Sequence, residues 1–386
     1  MNFIYHNEYH GIEFSYFEKN GYTLVEIPQN DYTYIDKIKN GDVLFIKLDD
    51  IDYINASVNK EYKLTIFLFI NHEYCNRHRR KAIIENRNIN HRIYFLTTHL
   101  DNDTTECDLA LRTKCLPFKS LFSEKAFQLK DSRNKKYNFF NRSINLRRIK
   151  IFELIKKHNI QLKDCYYTFG LIIKKNTFGN IKSISDFINY RNSPGGGRDG
   201  NDDLTFDIEY LNQFTNEFFI YENKRDVELG NIQSSDSIDM YDEVNINSLD
   251  SYASFIVESS GDSGDDLRLT EKTIRAWLCK NIFISLQCRG FNRALRNNGI
   301  ETFEDVFGLD TDWDECESET ERINTFVNAL KQFNELSIEE IEHIYNSDSV
   351  QQRLENNYRV VNGCFNPLNA IMEIDKLIGY ENNVLK

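Results

Sequence analysis

Thr270-Glu271-Lys272-Thr273 stands between an acidic segment (Asp262, Asp265, Asp266) and an amphipathic run, Ile274 to Leu278. The pattern predicts a helix that opens on a carboxylate and leads into a short apolar strand, Ile282 to Leu286. A carboxylate at that place can hold a pair of ribose hydroxyls, and the free N–H groups of a helix start can take a phosphate. It also reads as an ordinary helix-start carboxylate favoured by the helix dipole. A second concentration of chemistry is Asn141-Arg142 followed by Arg147-Arg148, where a strand, Tyr137 to Asn141, precedes a helix from about Ile144 to His158. Guanidiniums pair with phosphate oxygens two at a time, and open α/β sheets bind nucleotides at strand-to-helix junctions. The competing reading is a solvated basic helix face.

A third group is basic: Arg77, Arg79, Arg80 and Lys81, within a stretch that runs to Arg92. It could track a phosphate backbone or simply face solvent. Candidates for a general base that deprotonates a hydroxyl are His10, Glu13, His99 and Asp101, all placed after expected strands. The Asp-x-Asp triplets Asp101-Asn102-Asp103 and Asp310-Thr311-Asp312 have the form of a divalent-cation site. With 60 acidic residues such triplets arise by chance, and no metal is assigned. The eight cysteines are scattered without a C-x-x-C spacing, which fits reduced thiols rather than zinc or a disulfide framework.

These residues need scaffolds to position them, and 386 residues are enough for two domains. Apolar runs at Phe3 to Tyr5, Thr23 to Ile27, Asp42 to Leu48, Leu64 to Ile70 and Arg92 to Thr98 read as buried strands separated by turns and helices, one of them Tyr32 to Lys39. A polar, linker-like stretch, 130–136, ends this first series. A second series runs through Tyr137 to Asn141, Cys165 to Phe169, Ser254 to Val257 and Ile282 to Leu286. Strand–helix alternation of this kind predicts parallel sheets with helices on their faces, an α/β fold. The expected domains are 1–132, then 133–365 with a loop insertion at about 190–250, and a closing helix, 366–386, that packs back on the first. The Gly195-Gly196-Gly197 loop lacks the strand, lysine and helix of a phosphate-binding loop. Ser337 to Tyr345 and Val350 to Tyr358 are amphipathic helices. The net charge of −13 is uneven, since basic residues outnumber acidic ones before residue 190 and the reverse holds after it. No apolar run is long enough to span a membrane and no signal peptide is evident, so a cytoplasmic protein is expected.

The order of the motifs resembles that of virus- and phage-encoded glycosyltransferases of the GT-B type, over roughly residues 135–330. The matching pieces are Asn141-Arg142 with Arg147 or Arg148, the strand Tyr252 to Glu258, Thr270-Glu271-Lys272 and Leu295-Arg296-x-x-Gly299-Ile300-x-Thr302-Phe303. The donor domains of exostosins and fucosyltransferases are similar more loosely. Where relatives carry a Gly-x-Pro-Gly turn, this chain has Gln287-Cys288-Arg289-Gly290. The resemblance implies two Rossmann-like α/β domains facing each other across a cleft. It implies a nucleotide-sugar co-substrate (UDP- or another nucleoside-diphosphate sugar) and no required cofactor. By the same resemblance Glu271 holds ribose or sugar hydroxyls, Arg142 with Arg147 or Arg148 neutralises the diphosphate, and Lys272 assists. Asn141, Glu258 and Thr270 complete the donor site, and an acceptor base comes from the first domain, with His10 and Asp101 the selected residues. The acceptor expected is a hydroxymethylated base in phage DNA, with Arg77, Arg79, Arg80 and Lys81 on its backbone. A glycan, capsule, lipopolysaccharide or protein acceptor is the alternative, and a non-catalytic nucleotide- or nucleic-acid-binding protein on the same fold is a second.

Overall fold

The computed structural model describes residues 1–6, 14–28, 33–47, 50–69, 82–83, 85, 91–96, 132–141, 145–169, 171–173, 183–192, 203–214, 219–221, 246–258, 267, 269–365, 371–372 and 374–378. The chain divides into two units, Met1–Ser120 with Val360–Lys386, and Leu121–Arg359.

The first unit contains β1 (Asn2–His6), α1 (Ser15–Lys19), β2 (Thr23–Ile27), β3 (Val43–Lys47), α2 (Ile51–Ser57), β4 (Thr65–Phe69) and β5 (Arg92–Leu96). The strands lie in the order β2-β1-β3-β4-β5, and every pairing is parallel. Side-chain alternation sorts the residues by type. Ile4, Leu44, Ile46, Ile66, Leu68 and Ile93 share one cluster. Phe3, Phe45, Phe67 and Tyr94 share another with Phe17 of α1 and with Ile371, Ile374 and Ile378 of the closing segment. Both faces of the sheet are covered, which is why its strands read as unbroken apolar runs. The helix expected over Tyr32 to Lys39 is a single 3-10 stretch, Thr33–Lys37.

The second unit contains β6 (Lys135–Asn141), α3 (Leu146–Lys157), β7 (Cys165–Phe169), β8 (Leu171–Ile173), α4 (Ile184–Asn192), α5 (Ile208–Asn212) and β9 (Phe219–Tyr221). It continues with β10 (Ser251–Val257), α6 (Glu271–Leu278), β11 (Ile282–Leu286), α7 (Phe291–Asn297), α8 (Glu319–Glu335), α9 (Ile338–Tyr345) and α10 (Asp348–Phe365). Its main sheet has the order β11-β10-β6-β7, again all parallel, and β8 and β9 form a separate parallel pair. The expected α/β architecture of parallel sheets in two units is therefore observed.

Aromatic rings join α8 to the central strands: Phe255 of β10 lies 5.7 Å from both Phe326 and Phe333, and 5.2 Å from Tyr137 of β6. The stretch expected to be a linker is instead an anchor. Arg133 is buried, donating to the carbonyl of Ser251 and, at 2.6 Å, to that of Cys279 just past α6. An arginine there satisfies carbonyls that the helix end leaves open. Lys136 is buried as well, with Nζ 3.1 Å from the carbonyl of Asn334. Among the described residues no helix is long and apolar enough to cross a membrane.

Candidate functional site

In a parallel sheet the ligand crevice lies outside the carboxyl ends of the strands, where the chain reverses its direction of winding. In the second unit that place is between β6 and β10: from β6 the chain lays β7 on one side and later β10 on the other. Asn141 ends β6 and Glu258 follows β10.

Glu258 is fully buried. Thr270 Oγ1 donates to one of its carboxylate oxygens and Thr273 Oγ1 to the other. The Thr270 hydroxyl also accepts from the Lys272 backbone N–H at 3.2 Å, so one side chain caps α6 and fastens it to the end of β10. Burial pushes the Glu258 pKa up; Lys272 and the two threonine hydroxyls pull it down, while Glu271 adds to the rise. A carboxylate with both oxygens engaged by hydroxyls holds the helix start in place and faces inward. The resemblance gives Glu258 a place in the donor site; in the structure both of its carboxylate oxygens are taken by the threonine hydroxyls of the helix start.

Glu271, the first residue of α6, keeps a side chain that is 25% exposed. Lys272 Nζ lies 2.9 Å from its Oε1 and 3.9 Å from Glu258 Oε2. Burial alone would raise the Glu271 pKa, but Lys272 and Arg275 overcome it and bring it down to about 2. The helix start thus presents an ionised carboxylate, with the dipole in its favour.

The arginines of α3 turn inward. Asn145 caps the helix, accepting from the Arg148 backbone N–H at 2.8 Å, which sets the helix start two residues later than the sequence predicted. The Arg148 side chain is 2% exposed and donates to the carbonyl of Val257 at 2.5 Å. Burial lowers its pKa to about 10, Glu258 and Glu271 oppose that shift, and Arg147 adds to it. Arg148 is thus a buried cation beneath both carboxylates, and the solvated-helix-face reading fails for it. Arg147 is buried too, with Nε paired to Glu319 of α8. Its charge is already matched, which weakens its expected part in neutralising a diphosphate.

Asn141 sits between these groups. Its backbone N–H donates to Thr168 Oγ1 at 3.0 Å. Its carboxamide is buried with neither atom hydrogen-bonded. A buried amide left in that state costs about 1–3 kcal/mol.

The structure therefore brings Asn141, Arg148, Glu258, Thr270, Glu271 and Lys272 to one end of two neighbouring strands, and directs Arg147 toward α8. His10, Asp101, Arg142, Arg77, Arg79, Arg80 and Lys81 lie outside the described residues. The triplet Asp101-Asn102-Asp103 also lies outside them, and Asp312 of Asp310-Thr311-Asp312 is paired with Arg296 at 3.2 Å. Among the described residues no three His, Cys, Asp or Glu side chains gather as a metal site.

Two residues that hold this cluster together were not singled out from the sequence. Thr273, one helical turn after Thr270, shares the Glu258 latch, and the Thr-x-x-Thr spacing was its signal. Glu319, the partner of Arg147, gave no local sign. At the next junction Gly290 takes φ +76° ahead of α7, and an added Cβ there would come within 3.2 Å of the Arg293 guanidinium.

No family model matches this chain, and no curated protein does. Among solved structures it is similar to an alpha-glucosyltransferase in complex with UDP and a 13-mer DNA containing a central A:G mismatch. That likeness has a TM-score of 0.42 and 11% sequence identity, over 98% of this chain and 99% of the other. At that level the two chains are only distantly alike, and the fold stands on the strand order and register above.

Proposed function

We propose that this chain is a nucleotide-sugar-dependent glycosyltransferase of the GT-B type, with its donor site in the second unit. The reading is carried by the ionised Glu271 at the start of α6, beside the β6–β10 reversal and above the buried Arg148. In this assignment Glu271 accepts from vicinal hydroxyls of the donor. Arg142 neutralises the diphosphate with the help of Lys272, and Arg148 adds positive charge from within, in surroundings where charge is weakly screened. Asn141 supplies amide donors and an acceptor that the protein itself leaves unused. Glu258, Thr270 and Thr273 support the helix start. Charge stabilisation of the departing diphosphate is the largest contribution such a site can make. The acceptor hydroxyl oxygen replaces the diphosphate at the sugar carbon, and its proton passes to a base in the first unit, for which His10 and Asp101 are the candidates.

For the acceptor we propose a hydroxymethylated base in phage DNA, on the strength of the Arg77, Arg79, Arg80 and Lys81 cluster. The net charge of −13 favours the other reading, a glycan, capsule, lipopolysaccharide or protein acceptor. The host cytoplasm is the compartment this reading implies. The test is release of the leaving nucleotide, a nucleoside diphosphate from UDP-, GDP- and TDP-sugars and CMP from CMP-sugars, with and without acceptor. No release from any donor would end the enzyme reading. Labelled donor offered with modified DNA, then digested to nucleosides, should place label on a base; label recovered only on a glycan selects the second acceptor.

A further inference from the structure

Glu319 has no place in the donor site as drawn, yet it is the counter-ion of a group next to that site. It opens α8 with a nearly buried side chain, one carboxylate oxygen taken by Arg147 Nε and the other by Arg322 Nη2. Arg322 is itself held, donating through Nη1 to the carbonyls of Cys316 and, at 3.1 Å, Glu317. Asp203 fixes the same helix start from outside, accepting from Ser318 Oγ at 2.9 Å and from the Thr320 backbone N–H at 3.1 Å. Further along, Phe326 and Phe333 pack against Phe255 of β10. So α8 is a fixed bar on the sheet, and Glu319 is its grip on α3.

Arg147 and Arg148 are consecutive buried guanidiniums, and Arg147 works against the charge on Arg148. A buried cation pair needs a matched anion to stay in place. Glu319 supplies it from the far side, leaving Arg148 to point at Val257 and the two carboxylates of the site.

We infer that Glu319 is a positioning residue: it neutralises Arg147 and so holds the first turn of α3, with Arg148, in register for the phosphates of the donor. The inference rests on the donor site proposed above. Arg147 is taken up by Glu319 in this arrangement, and its role is transmitted through the first turn of α3.

The experiment compares equilibrium binding of a nucleoside diphosphate with binding of the matching nucleoside, using the full-length chain and its Glu319→Gln, Glu319→Asp and Arg322→Met variants, with a thermal melt of each. Glu319→Gln should weaken the diphosphate by about tenfold while shifting the nucleoside by less than about twofold, a change confined to the phosphates. Glu319→Asp, which keeps the charge, should recover part of that loss. Arg322→Met should lower the melting temperature and leave the diphosphate-to-nucleoside ratio as in the wild type, because the Arg147–Glu319 pair survives. Equal weakening of both ligands, or none, makes Glu319 purely structural and overturns the inference. Should Glu319→Gln fail to fold, Arg147→Gln breaks the same pair while Arg322 still holds Glu319, and an unchanged ratio there overturns the inference as well. A wild-type chain that binds neither ligand removes the donor reading itself, an outcome distinct from a wild type that binds and variants that do not differ.

Discussion

The two main sheets share a winding rule and differ in what they bury. Each begins with an inner strand, places the next strand on one side and a later strand on the other. In the first sheet the described strand interiors are aliphatic on one face and mostly aromatic on the other. Its buried polar side chains, Asp42, Asp50 and His91, flank strands rather than occupy them. In the second sheet Asn138, Asn141, Ser254 and Ser285 lie buried inside strands, Glu258 is buried at a strand end, and Arg147, Arg148 and Glu319 are buried in the helices around it. A fold of this kind does not need those charges in order to pack. Their concentration at the β6–β10 reversal separates a frame from a site.

The largest effect should come from breaking the inner carboxylate. Glu258→Ala leaves two threonine hydroxyls without their acceptor and removes the negative charge that favours buried Arg148, and removal of one member of a buried charged network costs about 3–5 kcal/mol. Urea denaturation should show that loss. A loss under about 1 kcal/mol would mean that the second unit does not depend on its buried charge. The outer carboxylate should behave in the opposite way. Glu271→Ala should lower kcat/KM for the donor by about a hundredfold, about 2.7 kcal/mol of transition-state stabilisation, with the melting temperature nearly unchanged. Loss of fold without selective loss of donor use would reduce Glu271 to a helix-start residue.

How much of this contrast could be read in advance depended on whether the cause was local. The strands of both sheets were legible because burial on two faces makes continuous apolar runs such as Thr65–Phe69 and Ile282–Leu286. Glu271 as a helix-start anion was legible because the acidic residue and the amphipathic run it opens are adjacent in sequence; the Thr270 cap is seen only in the structure. The inward turn of Arg147 was not, since its partner Glu319 is 172 residues further on. Arg133 looked like linker for the same reason, its carbonyl acceptors lying on β10 and after α6. The β8–β9 pair went unforeseen, as three-residue strands carry too little periodicity to stand out.

A smaller effect should follow from Asn141→Leu. If the buried carboxamide is kept for a ligand, removing it relieves an unsatisfied group. The free protein should then melt at the same temperature or higher, by up to about 1 kcal/mol, while added nucleotide no longer raises the melting point. Destabilisation together with an intact ligand response would show that Asn141 has a structural partner and no part in binding.

The smallest effects should be pH-dependent and should have opposite signs in the two units. His91 is buried, neither ring nitrogen has a hydrogen-bond partner, and burial lowers its pKa from the ordinary 6.5. The folded state therefore keeps it neutral, while the unfolded chain takes up a proton below 6.5, so its contribution is complete above that pH and is lost as pH falls. His91→Phe should flatten this acid-side slope. Asp314 in the second unit runs the other way. Burial raises it from 3.8 to about 6, against the Asn292 backbone N–H and Arg296, with Glu315 and Glu304 adding to the rise. A raised carboxyl favours the fold below 3.8 and loses that advantage as pH climbs to about 6, so its charge weighs against the fold above that point. Asp314→Asn keeps an acceptor for the Asn292 N–H and should gain stability at pH 7 relative to wild type, with the gain fading toward pH 4. Melting curves of both variants across that range would show whether the two units respond separately; a common response would join them into one titrating unit.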